Sequence, residues 1–354
     1  MVSQRRSAEA SPGERTAVWV AAAQETLAAQ VSAIRTGEDW QRFLEFQAKL
    51  HQYSPNNVLL IGVQHARAYA AGSVQAPEPT HVAGFQTWKT LGRSVKKGQR
   101  GYAILAPVAG HRRMAVDSSG QSRPLGGDET ARPGESEERQ RLVRGFRVSY
   151  VFDVSQTTGE PIPEPTRPQL LRGEAPSGLG ASVLAMIEGL GFAVSTVPSA
   201  EVIGGANGQT DWANRTVVVR DDMDDAAMVK TLIHEAAHVL LHEGPPGRFL
   251  DRSVKEVEAE SVAFVVASAH GMATDDYSFP YVAGWAGDDP VSAIQSTQRR
   301  VAGAARTILD ASPAEHGSGG KVPGVELATH LSRTHQARRT PDASELIATE
   351  AIGL

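Results

Sequence analysis

The sequence predicts an α+β protein built from two domains. Three observations lead there. The chain has 354 residues, more than two lengths of about 150 residues, the usual span of one domain. A segment with a period of two, at 146–153, stands among segments with helical spacing. A proline-rich polar stretch at 161–176 separates two patterned halves and reads as a linker. The expected domains are 15–166 and 177–311, followed by a flexible tail at 312–354.

In the first half, Trp40, Phe43, Leu44, Gln47 and Leu50 recur at helical spacing behind Asp39, a candidate cap. Ser54-Pro55 pairs an N-cap with a proline at the first helical position, which opens a helix over 56–70. A turn-rich connection at 72–79 leads to a short helix at 85–91, closed by Gly92. The apolar run 102–108 reads as a strand ending at Pro107. Phe146, Val148, Tyr150 and Phe152 alternate with their neighbours, as strand residues do. Between these strands, 117–141 is Ser, Gly, Pro and charge, and is expected to be a disordered insertion in a hairpin.

The second half opens with a helix at 179–190, stopped by Gly191, and strands at 192–197 and 216–220. An acidic cluster at 221–225 starts a long helix, where negative charge meets the positive helix end. That helix runs to His242 and stops at Gly244-Pro245-Pro246. Further helices are expected at 254–270 and 290–309, with no internal repeat.

Hydrophobic residues make up 41% of the chain, enough for a core. Cysteine is absent, which excludes disulfide scaffolds, thiol catalysis and thiolate-held zinc. Any metal must therefore be held by His and carboxylates. The stretch 17–34 is interrupted by Gln24, Glu25 and Gln30 and does not read as a membrane span; a soluble cytoplasmic protein is expected. The net charge of −5 confines any nucleic-acid binding to a local basic patch.

The most informative residues are His234-Glu235-Ala236-Ala237-His238. Residues four apart share a helix face, so both imidazoles can reach one ion. Glu235 lies beside them, placed to take a proton from a water that the ion binds. Downstream, Glu256 and Glu260 are four apart and face the same way, while Glu258 points elsewhere. One carboxylate is expected to bind metal and the other to orient a ligand histidine. The pair resembles the Glu-x-x-x-Asp of gluzincin-type metallopeptidases, with Glu in place of Asp. That resemblance implies Glu256 as ligand and Glu260 as orienting partner. His242 lies about 12 Å along the helix from His234, too far to share the ion, and reads as a cation at the helix C-terminus. A His/His/Glu set suits zinc, with manganese also compatible.

The first half carries a different signal. Between Glu78 and Asp117 there is no acidic residue. Lys89, Arg93, Lys96, Lys97, Arg100, Arg112 and Arg113 lie there, interleaved with Phe85, Trp88 and Tyr102, and Arg144 and Arg147 follow. Cations that track phosphates and rings that stack on bases suit a single nucleic-acid strand. The alternative is a solvated basic face over core aromatics.

Several blocks in order resemble the N-terminal domain of ArdC-type antirestriction proteins. They are Asn56-Asn57-Val58-Leu59-Leu60-Ile61 with Gln64, the run from Val82 to Arg93, Val95 to Gly101, Ile104 to Pro107, and Val151 to Thr157. The resemblance covers about 35–165 and departs from the family in the long insertion after Val116. It implies single-stranded DNA binding by the first half, a zincin-like metallopeptidase domain in the second, and a plasmid or other mobile element as source. The second half also resembles ImmA/IrrE-type metallopeptidases, which implies cleavage of a regulatory protein.

Three functions follow as expectations. The chain coats incoming single-stranded DNA against restriction, or it is a peptidase that the first domain targets to a regulatory or DNA-bound protein. As a third reading, it is a scaffold whose metal only stabilises the fold. The peptide Tyr277 to Trp285 is a candidate part of the cleft.

Overall fold

The computed structural model describes residues 12–312 apart from 120, 163–172, 245–249, 276, 278, 281 and 288. The expected tail lies outside the described residues except for Ser312, and so does most of the expected linker.

The first half opens with three helices, α1 (Pro12–Ala33), α2 (Gly37–Lys49) and α3 (Pro55–Ala70). Thr36, rather than Asp39, is the N-cap of α2. Asp39 sits three residues in and returns the hydrogen bond, a reciprocal cap that satisfies two orphan donors. Ser54 caps α3 ahead of Pro55, as the sequence predicts. There follow β1 (Val82–Gly84), α4 (Phe85–Thr90), β2 (Arg93–Val95), β3 (Tyr102–Val116), β4 (Ser122–Pro124), β5 (Ser136–Asp153) and β6 (Thr157–Gly159). One sheet has the order β1-β5-β3-β4, and β2 pairs with β6.

The β3–β5 hairpin is far longer than expected. Strand β3 passes through Pro107, whose missing N–H belongs to the edge facing away from β5, so no bond of the pair is lost. On that outer edge, α3 supplies the missing partners. The Asn57 side chain accepts from Leu105 N–H (2.9 Å) and donates to Leu105 C=O (3.0 Å). Gln64 does the same for Ala103 (2.8 and 2.9 Å). Two side-chain amides seven residues apart, two helical turns, thus stand in for a strand. A bulge between Val108 and Ala109 shifts the register beyond that point.

Residues 117–141, expected to be disordered, form the outer end of this hairpin. Strand β4 pairs with Met114–Val116, and β5 pairs with β3 from Ser136 onward. Arg113 forks onto Glu137 (2.6 and 2.8 Å), and Arg123 bridges Glu129 and Glu135. Backbone pairing and Arg–carboxylate forks hold a segment that has little apolar surface to bury.

The second half contains α5 (Leu179–Gly189), β7 (Ala193–Val197), β8 (Gly208–Asp211), β9 (Thr216–Arg220), α6 (Asp225–His242), α7 (Arg252–Ala269) and α8 (Pro290–Ala311). Strand β9 runs parallel to β7 and antiparallel to β8, which lies at the sheet's edge.

One buried cluster spans both halves. It runs from Trp40, Leu44 and Ile61 through Leu179 and Ile233 to Phe264 and Ile308. Fully buried Trp40 donates its indole N–H to Ser261 Oγ on α7 (2.9 Å) and meets Trp285 edge-on at 5.4 Å. Arg306 on α8 donates to the His51 carbonyl (2.8 Å). Trp40→Ala should therefore destabilise the whole chain by about 3–5 kcal/mol. Urea unfolding, read by signals from each half, should shift both to lower denaturant. A shift confined to the first half would mean that the cluster does not couple them.

Candidate functional site

Helix α6 begins at Asp224, whose carboxylate caps Ala227 N–H (2.8 Å). Its apolar residues Val229, Leu232, Ile233, Ala236 and Val239 are buried, which turns His234 and His238 toward α7 and the sheet edge. Helix α7 presents Glu256 and Glu260 on the same side and Glu258 inward.

The sequence-predicted ligands converge. His234 Nε2 lies 3.1 Å from His238 Nε2. Glu256 Oε2 lies 3.5 Å from the first and 3.7 Å from the second. Tetrahedral coordination at about 2.0–2.1 Å separates ligand atoms by about 3.4 Å, so the three atoms fit one divalent cation with a coordination position left over. His234 Nδ1 meets Glu260 Oε2 at 3.1 Å, the orienting contact expected of Glu260.

Burial disfavours charge on His234, but the Glu256 and Glu260 carboxylates outweigh it and lift its pKa to about 9. His234, then His238, hold the Glu256 carboxyl well below the usual carboxylate range. Without a cation, His234 and Glu256 keep each other charged.

Glu235 is buried, and its Oε2 accepts the Thr210 hydroxyl of β8 (2.6 Å). A side chain at Gly208 would strike Glu235 Oε1 at 2.7 Å, so the strand approaches the helix closely only because that residue is glycine. Trp212 packs edge-on against His238 at 6.2 Å. These groups line one cleft of about 1520 Å³, with Lys230, Arg252, Lys255 and Tyr277 on its walls. Tyr277 lines the cleft as expected of the 277–285 peptide, whereas Trp285 is packed on Trp40.

His242 is not a solvated helix-end cation. Its side chain is fully buried, and burial moves its pKa down against the pull of Glu258. Its Nδ1 lies 2.8 Å from His238 Nδ1, and its Nε2 lies 3.0 Å from Glu258 Oε2. Arg300 of α8 donates to both oxygens of Glu258 (2.8 and 3.0 Å). Thr210, Trp212 and this buried chain were missed by sequence reasoning. The four-residue spacing from His238 to His242 hinted at the chain, and no local pattern pointed to Thr210 or Trp212.

The first half departs further from expectation. Trp88 is fully buried and donates its indole N–H to the Phe152 carbonyl (3.0 Å). Tyr102 is buried with its hydroxyl on His65 Nδ1 (2.9 Å). Neither ring is open to a base. Arg93 is spent on β6: its Nε donates to Thr157 Oγ1 (2.9 Å) and its Nη1 to the Gly159 and Glu160 carbonyls. Lys96 donates to the Ser155 carbonyl (2.9 Å) while remaining exposed. Phe85, Lys89, Lys97 and Arg100 are exposed. Among the exposed rings that the sequence reading passed over are Phe146 and Tyr150 of β5, each 57% accessible.

Residues 20–152 match the family model for the N-terminal domain of anti-restriction factor ArdC. Over 277 residues the chain is 24% identical to an uncharacterized protein of Bacillus anthracis, which covers 70% of this chain. The chain spans only 43% of that relative's length. Two crystal structures of the antirestriction ArdC protein from R388 plasmid are similar at low overlap. The metal-free one has a TM-score of 0.41 at 18% identity and covers 73% of this chain and 85% of its own. The Mn(II)-bound one has a TM-score of 0.40 at 17% identity and covers 74% and 89%. No helix among the described residues is long and apolar enough to cross a membrane.

A cation held by His234 would compete with a proton there, because an imidazolium cannot ligate. The pKa of His234 is raised from an ordinary 6.5 to about 9. Its pairing with Glu256 and Glu260 therefore stabilises the cation-free protein fully below about pH 6.5, and that contribution fades as pH rises through 9. Affinity for Zn(II) or Mn(II) should rise across the same window in chelator competition. His234→Ala, His238→Ala and Glu256→Ala should each weaken it. Flat affinity between pH 6.5 and 9 would contradict the ligand role of His234.

Proposed function

We propose that this is an antirestriction-type protein of a mobile element whose first half binds single-stranded DNA and whose second half is a metal-dependent, peptidase-like domain. The observation that carries the proposal is the family match over 20–152. The binding face we assign differs from the one expected of Trp88 and Tyr102. Phe146, Val148 and Tyr150 share one face of β5, and alternate strand residues lie about 6.6–6.8 Å apart. Phe146 and Tyr150, four residues apart, therefore lie about 13 Å apart along the strand, a span that an extended run of bases can follow. There is no acidic residue between Glu138 and Asp153, while Arg139, Arg144 and Arg147 lie on the same strand. Arg144 lies across Gly110 of β3, where any side chain would meet its Nε at 2.5 Å. Phe85, Lys89, Lys97 and Arg100 extend the exposed basic and aromatic surface.

In the second half, His234, His238 and Glu256 would hold the cation, zinc or manganese. A cation held there would supply Lewis acidity toward water and a peptide carbonyl. Glu235, whose carboxylate accepts the Thr210 hydroxyl, would take a proton from the attacking water and pass it to the amine that leaves as the peptide bond breaks. The second reading, a peptidase acting on a regulatory or DNA-bound protein, is favoured by the cleft itself. Its volume exceeds the roughly 300–1,000 Å³ of most small-molecule sites. Strand β8, an edge strand of its sheet, lies along the cleft, where an extended peptide can add by backbone pairing.

Anisotropy titration of labelled oligo-dT against the full chain tests the DNA reading. Phe146→Ala and Tyr150→Ala should each cost about 1–3 kcal/mol of binding, and affinity should fall steeply with salt. Trp88→Ala should instead lower the unfolding midpoint. Wild-type binding by the Phe146→Ala/Tyr150→Ala double variant would remove this face from the proposal.

Glu235→Gln should retain cation and fold but lose proteolysis. Equal protection of incoming DNA by this variant would leave DNA binding as the whole biological activity.

A further inference from the structure

We propose that His242, Glu258 and Arg300 are positioning residues that hold His238 in the one tautomer able to bind a cation, before any cation arrives. The inference rests on the reading of His234, His238 and Glu256 as ligands, and it adds three residues that are not ligands themselves but act through His238.

The argument is a count of hydrogens along a buried line. The Arg300 Nε–H points at both oxygens of Glu258 (2.8 and 3.0 Å), and Arg300 Nη2 donates to the Leu241 carbonyl (2.7 Å). Glu258 is 1% exposed and paired with a guanidinium, so it is an ionised, acceptor-only group. His242 Nε2, 3.0 Å from Glu258 Oε2, must then carry a hydrogen and donate it. One hydrogen fits between His242 Nδ1 and His238 Nδ1, which are 2.8 Å apart. If His242 supplied it, that ring would be a second buried cation beside Arg300, with one carboxylate to serve both, a costly arrangement. The hydrogen therefore belongs to His238 Nδ1. His238 Nε2 is left with its lone pair, and that atom faces His234 Nε2 and Glu256 Oε2. All donors in the line point one way, from His238 to His242 to Glu258, and Arg300 closes it from the other end. The second ligand is oriented separately, by Glu260 on His234 Nδ1.

Glu258→Gln should reverse the line. The amide oxygen takes the Arg300 donor, and the amide N–H₂ then donates to His242 Nε2. His242 moves its hydrogen to Nδ1 and donates it to His238, whose own hydrogen shifts to Nε2, where it blocks the cation. His242→Leu removes the acceptor and leaves His238 with both tautomers.

The test is long-range ¹H–¹⁵N correlation on metal-stripped, histidine-labelled full-length protein. His238 should be the Nδ1–H tautomer in the wild type, the Nε2–H tautomer in Glu258→Gln and a mixture in His242→Leu. Affinity for Zn(II) by chelator competition should fall roughly 10–100-fold in both variants. Ile308→Ala, a cavity in the same core, should lower stability but leave the tautomer unchanged. An Nε2–H His238 in the wild-type apoprotein overturns the proposal even if no variant folds. So does a Glu258→Gln protein with wild-type tautomer and affinity. If the wild type shows the Nδ1–H tautomer but binds neither Zn(II) nor Mn(II), the tautomer lock stands and the ligand reading fails.

Discussion

The contact between α6 and α7 is the constraint on which the site depends. Two imidazole nitrogens and a carboxylate oxygen sit 3.1–3.7 Å apart because these helices pack against each other, and each buries small residues, Ala236 and Ala237 on one, Ala259 and Ala263 on the other. Alanines let the axes approach, and approach puts charge next to charge. Like many functional arrangements, it is held by what surrounds it. Helix α8 adds Arg300 to a carboxylate that would otherwise be an isolated buried charge, and α2 packs Trp40 against the far side of α7.

The first half solves a different problem, that of the outer edge of β3 in a long hairpin. Open edges invite pairing with other chains. Here a helix covers the inner part of the edge with Asn57 and Gln64, whose amides copy the donor–acceptor pattern of a strand. Pro107 marks the next position along that edge, where no donor is required. Past the bulge, β4 takes over the pairing. The edge is managed by three devices in succession, and the opposite strand β5 is left free to expose Phe146 and Tyr150.

What was legible in the sequence had a periodic or positional signature. The His-Glu-x-x-His spacing, the acidic start of α6, the Glu256/Glu260 stripe and the Ser54-Pro55 cap all state local geometry directly. The unread parts lack such a signature. Strand β8 reads Gly-Gln-Thr-Asp and owes its existence to pairing with β9, not to an alternating pattern. The polar stretch 117–141 is held by backbone pairing of β4 and the start of β5 with β3 and by Arg–Glu forks, which composition does not encode. Trp88 and Tyr102 sit among lysines and arginines in sequence, yet each turns inward because its polar atom finds a buried partner, the Phe152 carbonyl and His65. Arg300 is 42 residues from Glu258, and no local rule joins them.

Residues within two turns of α7 show how the two halves are joined. A helix turns 100° per residue, so Glu256, Glu258, Glu260 and Ser261 point to different neighbours. Glu256 and Glu260 face the histidines of α6. Glu258 faces His242 and Arg300. Ser261 accepts the indole of Trp40, a residue of the first half. Interiors are close-packed and do not deform smoothly, so a displacement of α2 would be felt at Ser261, one residue from the carboxylate that orients His234. The wall on which the first half rests is thus also the wall that carries Glu256 and Glu260. Packed on three sides by α2, α6 and α8, α7 places Glu256 beside the two histidines, the arrangement on which the proposed cation site depends.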